Sequence, residues 1–357
     1  MMSRGKSIVS FAVWCTALLV LIFDSKTASS GALEGIELCL YTVVPVLFPF
    51  FIVSGMINHM LSNQKISFMK PLRKICKIPE GSEAVLLLGL TGGYPVGAKC
   101  ISESKRFGSI SSLTAKRMFA FCNNAGPSYI FGFMLPLFST SKVSVVIWFI
   151  HIISAIITAI IFPVNTVHGA ALPVYEEKRK YDNLTASIHS ISKVCGWIVV
   201  FKVIIAFFEI WFLRYIPSSA RVLVLGLIEL TNGTILLNTV ALEGQRFVYA
   251  SVMLAAGGIC VAMQVRSFAE KEHFKYYLIG KMLQTCVAFL MALVIQWLLF
   301  DSSECYRLAF MPIVSISVIV TISAYLNRKK LVEIWKTILY NRHQKPKEVL
   351  YAISKEN

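Results

Sequence analysis

Charged residues are scarce in this chain of 357 residues: only 15% of them are Asp, Glu, Lys or Arg, whereas 56% are apolar. The mean hydropathy is +0.67. A soluble protein of this length covers its surface with many more charged side chains. The composition therefore predicts an integral membrane protein, and it leaves no stretch for a separate soluble domain.

Motifs for disulfide, metal or nucleotide chemistry are missing. The nine cysteines stand singly without a CxxC pair, and the six histidines show no HExxH spacing. The stretch GGYPVGAKC at 92–100 has the glycine spacing of a phosphate loop, but Ala98 stands where that loop needs lysine. We therefore predict no cofactor, no metal site, no catalytic residue and no enzymatic activity.

Acidic residues are also few, since 19 Asp and Glu against 35 Lys and Arg leave a net charge of +16. In a soluble protein this excess would indicate a nucleic-acid partner. In a membrane protein, basic residues collect in cytoplasmic loops. Two interrupted apolar stretches, 84–102 and 222–242, either return to the side from which they entered the membrane or cross it fully. If both return, 25 basic residues lie on one side and 5 on the other. If both cross, the counts are 21 and 9. We therefore predict re-entry, cytoplasmic termini and a lipid bilayer, with no nucleic-acid partner.

Eight apolar runs are long enough to cross a membrane, which takes about 20 residues. They are 8–23, 33–57, 113–137, 143–165, 186–213, 246–265, 276–300 and 306–327. The first run also fits a cleaved signal peptide. The two interrupted stretches contain the helix-weakening segments TGGYPVG and ELTNGT. The predicted fold is an all-α, polytopic membrane protein with about eight transmembrane helices and two re-entrant hairpins.

The order of helix, interrupted stretch, helix and helix occurs twice along the chain. Three full crossings separate the copies, so the second copy is predicted to be inverted, as in secondary transporters. The predicted divisions are an N-terminal helix and loop at 1–32, a first repeat at 33–165, a cytoplasmic linker at 166–185, a second inverted repeat at 186–300, a last transmembrane helix at 301–327, and a basic amphipathic cytoplasmic tail at 328–357.

Non-helical backbone at membrane depth survives only where it faces protein or a water-filled cavity. The first interrupted stretch therefore supplies candidate substrate-binding residues, namely Thr91, Gly92, Gly93, Tyr94 and Lys99. Two interpretations of Lys99 stay open. It is either a cavity cation for an anionic cargo or a side chain that reaches the interface marked by Glu103 and Lys105.

The segment CNNAGP at 122–127 predicts a kink or an unwound turn, because proline removes a donor and disfavours helix at the residue before it. Asn123, Asn124 and Ser128 are further binding candidates. Amide side chains can both donate and accept hydrogen bonds to a ligand. The alternative is that the asparagines join neighbouring helices.

The second repeat supplies the candidates Glu229, Thr231, Asn232 and Gln264. A carboxylate at this depth is a proton carrier, a cation ligand or a partner for a basic residue such as Lys99. We interpret His151 as a packing residue. We interpret four further charged residues mainly as interfacial or paired: Lys193, Lys202, Glu209 and Lys281.

Four segments, LLLGLTGGYPVGAKCISE, FCNNAGPSYIFG, KVCGWIVVF and ELTNG, resemble the sporulation integral membrane proteins of the YlbJ type. The match runs in order from about Pro45 to about Gln264. The resemblance implies a nucleoside-recognition gate domain. It also implies movement of dipicolinic acid across the outer forespore membrane of an endospore-forming bacterium. It carries over no binding residues.

Three functional hypotheses follow. The leading one is a transporter or facilitator for a small anionic metabolite, dipicolinate, that works by movement of one repeat against the other, in the outer forespore membrane or the cell membrane. The second is a transporter of another solute, such as a nucleoside. The third is a membrane scaffold that transports nothing. Analogy with gate-domain proteins also suggests a homo-oligomer.

Overall fold

The computed structural model describes residues 4–61, 64–162 and 182–300, together with positions 316, 319 and 320. Within these ranges the chain is helical and contains no β-strand. Most of the predicted linker at 166–185, most of the predicted helix at 306–327 and the whole predicted tail at 328–357 lie outside the described residues. The all-α class predicted from composition is thus confirmed for the described part.

Five helical segments are long and apolar enough to cross a membrane. They are Ser25–Met60, Ser141–Ile161, Asn183–Trp211, Glu243–Arg266 and Lys271–Leu299. Each overlaps one predicted run, which confirms the multi-pass membrane character. Two other predicted runs differ: the described part of 8–23 is a shorter apolar helix, and 113–137 is not one continuous helix.

The first half begins with two consecutive helices separated by Asp24. α1 is Arg4–Phe23, α2 is Ser25–Leu38, and a π-helical turn at Cys39–Val43 joins α2 directly to α3, Val44–Met60. The next helices are α4 (Lys70–Ile75), α5 (Glu83–Thr91), α6 (Val96–Arg106), α7 (Ser112–Met118) and α8 (Ser141–Ile161).

The second half begins with α9, the long helix Asn183–Trp211. It continues with α10 (Ser218–Ile228), α11 (Leu230–Leu236), α12 (Glu243–Ala256), α13 (Gly258–Arg266) and α14 (Lys271–Leu299). Short 3₁₀ turns lie at Ser67–Met69, Leu135–Leu137, Leu213–Tyr215 and Leu237–Thr239.

The two interrupted stretches are pairs of short helices. α5 and α6 pack on each other and are separated by a break in which Gly93 adopts a φ of +83°. Only glycine reaches this region without strain. α10 and α11 are likewise paired, and Glu229 between them is extended. The local weakness read from the sequence therefore corresponds to real breaks in both stretches.

The run at 113–137 is interrupted too. α7 ends at Met118, the backbone is irregular through CNNAG, and a π-helical segment follows at Ser128–Met134. Pro127 explains the restart, because proline fits the first turn of a helix and disfavours helix before it. The second half has a comparable break at Gly257 and Gly258, with φ values of +72° and +83°.

Close packing assembles these pieces. α2 lies against α9 at two glycines: a Cβ on Gly31 would stand 3.0 Å from the Lys202 carbonyl oxygen, and one on Gly35 would stand 2.8 Å from Val199 Cα. Small residues spaced by four permit such contact between membrane helices. α8, α12 and α14 pack together in the second core, which sets α14 beside the irregular segment 119–127.

Candidate functional site

The break between α5 and α6 sits directly on the irregular segment 119–127. A Cβ on Gly97 would stand 2.0 Å from the Cys122 carbonyl oxygen, and one on Gly126 would stand 3.1 Å from Gly93 Cα. Backbone meets backbone at both points, so neither side could yield to a side chain. The glycines of the two motifs thus bring two unwound segments into contact.

Tyr94 extends this contact to the second half. Its hydroxyl donates a hydrogen bond to the Leu254 carbonyl oxygen at 2.7 Å. Its ring lies against Gly257, where a Cβ would stand 3.3 Å from the ring. Three breaks in the helical backbone, at 92–95, 119–127 and 257–258, therefore meet around one tyrosine.

α14 presents a polar stripe to this junction. Tyr277, Lys281 and Gln284 are spaced by four and three residues, so they lie on one face of the helix. Gly280 beside them allows the approach, because a Cβ there would stand only 2.0 Å from the Ala120 carbonyl oxygen. All three polar side chains are buried.

Hydrogen bonds join the stripe to both motifs of the first half. Lys281 Nζ donates to Tyr94 Oη at 2.9 Å and to Gln284 Oε1 at 2.8 Å. Gln284 Nε2 then donates to Asn124 Oδ1 at 2.9 Å. The Asn124 amide nitrogen is held in turn by two backbone carbonyls, at 2.7 and 3.1 Å. We call Tyr94, Asn124, Lys281 and Gln284 the junction network.

His151 of α8 closes the network on its other side. Its Nε2 accepts a hydrogen bond from the Ala125 N–H at 2.9 Å, so the neutral ring carries its proton on Nδ1. Nδ1 is buried and has no hydrogen-bond partner within the described residues. The His151 carbonyl oxygen accepts from Gln284 Nε2 at 3.3 Å. His151 therefore orients the unwound backbone through Nε2, and its Nδ1–H donor has no partner among the described residues.

The charge at the junction network is not balanced in the described part of the chain. Lys281 is 5% exposed, and no described carboxylate lies within ion-pair distance of it. Burial of an unpaired charge is costly, particularly at membrane depth. An anion at this position would offset that cost, and charge-assisted hydrogen bonds would hold it.

Lys99 has a different environment. It is 1% exposed, donates to the Phe51 carbonyl oxygen at 3.0 Å, and lies 3.6 Å from Glu103 Oε1. It is turned toward α3 rather than toward solvent, and it contacts none of the junction network. Its ammonium has a carboxylate one helical turn away, so it carries less unbalanced charge than Lys281.

The second-half candidates also lie apart from Lys281. The Glu229 carboxylate accepts hydrogen bonds from the Thr231 and Asn232 N–H groups at 3.1 and 2.9 Å, and thereby caps α11. Asn232 Oδ1 accepts from Lys202 at 2.8 Å, and Lys202 also pairs with Glu34. Glu229 therefore does not pair with Lys99, which corrects the pairing considered from the sequence.

The remaining candidates have mainly local partners. Thr91 donates to the Leu87 carbonyl oxygen at 2.8 Å, and Gln264 donates to Cys260 Sγ at 3.5 Å. Asn123 accepts from the Ala98 N–H at 3.1 Å, whereas Ser128 is exposed. The structure thus brings Tyr94 and Asn124 into the junction network. Gly92, Gly93 and Asn123 stand beside it.

Comparison with known proteins finds a significant match to a sporulation protein. The sporulation integral membrane protein YlbJ of Bacillus subtilis (strain 168) is 23% identical over 330 residues, an alignment that covers 78% of this chain and 79% of YlbJ. The chain is a homologue of the YlbJ-type sporulation membrane proteins. The resemblance predicted from the motifs is thereby confirmed. No family model matches the chain, and no solved structure matches it significantly, so the gate domain stays a prediction.

In this YlbJ homologue, sequence reasoning missed three residues of the site: Lys281, Gln284 and His151. Lys281 is buried within the protein and forms no ion pair with a described residue. A signal was present in the sequence, because Tyr277, Lys281 and Gln284 repeat at helical spacing within an otherwise apolar run. Polar residues that share one face of a membrane helix face protein or water rather than lipid.

Proposed function

We propose that this protein transports a small anionic metabolite across a membrane of the sporulating cell. The observation that carries the proposal is Lys281, a buried amine whose described side-chain partners, Tyr94 and Gln284, are both neutral. A carboxylate that reached Lys281 would find amide and hydroxyl groups around it. Selective binding of an anion inside a membrane needs this combination of one cation and neutral donors.

The proposed mechanism uses the repeated architecture. The same order of elements occurs twice: a long helix, a pair of short helices, a broken segment and a second long helix. In the first half these are α3, α5–α6, the segment 112–137 and α8, and in the second half they are α9, α10–α11, α12–α13 and α14. We propose that the two sets are inverted repeats, with the helix pairs as re-entrant hairpins and both termini cytoplasmic. Substrate would bind where the breaks meet, and one repeat would move against the other.

We propose dipicolinate as the substrate and the outer forespore membrane as the site of transport. The support is the resemblance to YlbJ-type proteins together with the chemistry of the site. Dipicolinate is a planar pyridine dicarboxylate. One carboxylate would pair with Lys281, and the buried His151 Nδ1–H, which has no partner within the described residues, would donate to another acceptor of the molecule.

The test is uptake of labelled dipicolinate into proteoliposomes that contain the purified protein. We compare the parent with Lys281→Met and with a control, Lys193→Met, which removes a lysine that is exposed and bonds only weakly to the Ser267 carbonyl oxygen at 3.4 Å. Loss of a charged hydrogen bond, worth about 1.5–3 kcal/mol, predicts uptake by Lys281→Met at subsaturating substrate that is lower by about 10- to 150-fold. Lys193→Met should keep the parent rate.

Circular dichroism and size-exclusion profiles must match among the three proteins for the comparison to hold. Saturable nucleoside uptake without dipicolinate uptake would replace the proposal with a transporter of another solute. Absence of any flux in correctly inserted parent protein would refute transport and favour the scaffold hypothesis.

A further inference from the structure

Tyr94 joins the candidate anion site to the hinge of the second half through one oxygen atom. Its hydroxyl accepts a hydrogen bond from Lys281 Nζ at 2.9 Å and donates its own proton to the Leu254 carbonyl oxygen at 2.7 Å. Lys281 Nζ also lies 4.8 Å from the centre of the tyrosine ring. The hydroxyl therefore accepts one of the three N–H donors of the Lys281 ammonium, for which an anion would compete.

The acceptor of the tyrosine proton is itself unusual. Leu254 lies in the last turn of α12, which ends at Ala256 before the left-handed Gly257. Carbonyl groups in the last turn of a helix lack intrahelical partners. Tyr94, a residue of the first half, supplies that partner across the junction. Its hydrogen bond thus stabilises the end of α12 in its present orientation.

The break next to this bond consists of two adjacent glycines. Gly257 and Gly258 both have positive φ, and a Cβ on Gly258 would stand 3.1 Å from the Gly226 carbonyl oxygen at the end of α10. A change in the direction of α12 would therefore move α13 relative to the α10–α11 pair. Two adjacent glycines with positive φ let the backbone accommodate such a change at low energy.

We propose that Tyr94 is the positioning residue that couples anion binding at Lys281 to movement at the Gly257–Gly258 hinge. The proposal rests on the proposed function, since it takes Lys281 as the anion site. A carboxylate forms a stronger hydrogen bond with an ammonium than a neutral hydroxyl does, so it displaces Tyr94 from Lys281. Without that donor, the hydroxyl is less polarised and its bond to Leu254 weakens. The end of α12 is then released.

Tyr94→Phe tests the proposal because it keeps the ring and removes both hydrogen bonds. The control is Tyr129→Phe, which removes another hydroxyl bond between the halves, Tyr129 to Thr234 at 2.9 Å, and leaves Lys281 untouched. Binding of dipicolinate is measured by calorimetry in detergent, and transport is measured in proteoliposomes.

Tyr94→Phe should bind dipicolinate about 3- to 10-fold more tightly than the parent, because the carboxylate no longer competes with a neutral hydrogen bond. Its maximal transport rate should fall by at least about 5-fold, since binding is uncoupled from the hinge. Tyr129→Phe should bind within about 2-fold of the parent. A residue with a merely structural role would weaken binding when altered, and would not strengthen it.

Equal or weaker binding by Tyr94→Phe overturns the proposal, and so does tighter binding with an unchanged maximal rate. A parent that binds no anion refutes the proposed function instead, so the two failures are distinguishable. Hydrogen exchange on the parent protein supplies a test that needs no variant. Added dipicolinate should speed exchange at residues 255–258, and slower or unchanged exchange there would contradict release of the hinge.

Discussion

Gly280 lies where the backbone of α14 packs against Ala120 of the irregular segment 119–127, and Gly280→Ala tests the geometry of the site. The added Cβ would stand 2.0 Å from the Ala120 carbonyl oxygen and 2.6 Å from the Cα and carbonyl carbon of the same residue. Ordinary contacts between carbon atoms need about 3.5–4.0 Å. Backbone cannot rotate away as a side chain can, so α14 must move outward by about 1 Å or more.

The magnitude follows from two opposed effects. Alanine is a better helix former than glycine, which favours the variant by about 0.5–1 kcal/mol. Overpacking costs about 1–3 kcal/mol. A shift of α14 also lengthens the bonds from Lys281 to Tyr94 and from Gln284 to Asn124, now 2.9 Å each, and each is worth about 0.5–1.5 kcal/mol. We expect a net loss of stability of about 1–5 kcal/mol.

The assay is thermal unfolding of the purified protein in detergent, with Gly196→Ala as the matched control. Gly196 also lies inside a long helix, α9, but nothing stands within 4 Å of a Cβ placed there. Gly196→Ala should therefore stabilise the protein by about 0.5–1 kcal/mol. Gly280→Ala should unfold at a lower temperature than the parent. The reasoning is refuted if Gly280→Ala is as stable as Gly196→Ala.

Three further predictions concern the cap of α11, an exposed ion pair and the charge of the ligand. Glu229→Ala removes the carboxylate that caps α11 and should destabilise the protein by about 1 kcal/mol. Glu229→Gln should lose less stability because it keeps a hydrogen-bond acceptor. Equal melting temperatures for the two variants would contradict this prediction. Lys105 lowers the pKa of Glu270 from 4.5 through its hydrogen bond and its charge. Their contact is therefore lost as the pH falls through that lowered pKa, and hydrogen exchange at 267–273 should become faster there. Lys105→Met should abolish this pH dependence of exchange. Pyridine-2-carboxylate should compete with dipicolinate for binding, because Lys281 balances one negative charge; a requirement for both carboxylates would count against this.

The membrane class and the breaks at 92–95, 119–127 and 229 were predictable, whereas the break at Gly257–Gly258 was not predicted. Glycine and proline act on their own residue and its neighbours, so TGGYPVG, ELTNGT and CNNAGP indicate weak helix without knowledge of the fold. The length of an apolar run likewise indicates a membrane span directly. The segment 113–137 was counted as one transmembrane helix because its residues stay apolar on both sides of the break, and a hydropathy run does not register the break itself.

The three buried lysines show where local reasoning ends. Lys99 is followed four residues later by Glu103, a spacing that brings the two side chains together on any helix. Lys202 pairs with Glu34, 168 residues away in the chain. Lys281 meets Tyr94, 187 residues away. In sequence terms these lysines look alike, since each interrupts an apolar segment.

The sequence by itself determined the membrane class, the helical character and the weak helix at TGGYPVG, CNNAGP and ELTNGT. These properties depend on composition, run length and local backbone preference. Only the tertiary structure decided which lysine lacks a described carboxylate partner and which breaks meet. The physical reason is that a counter-ion can come from a distant part of the chain, as Glu34 does for Lys202. Whether a buried ammonium is balanced therefore depends on how the helices pack and not on its neighbours in sequence.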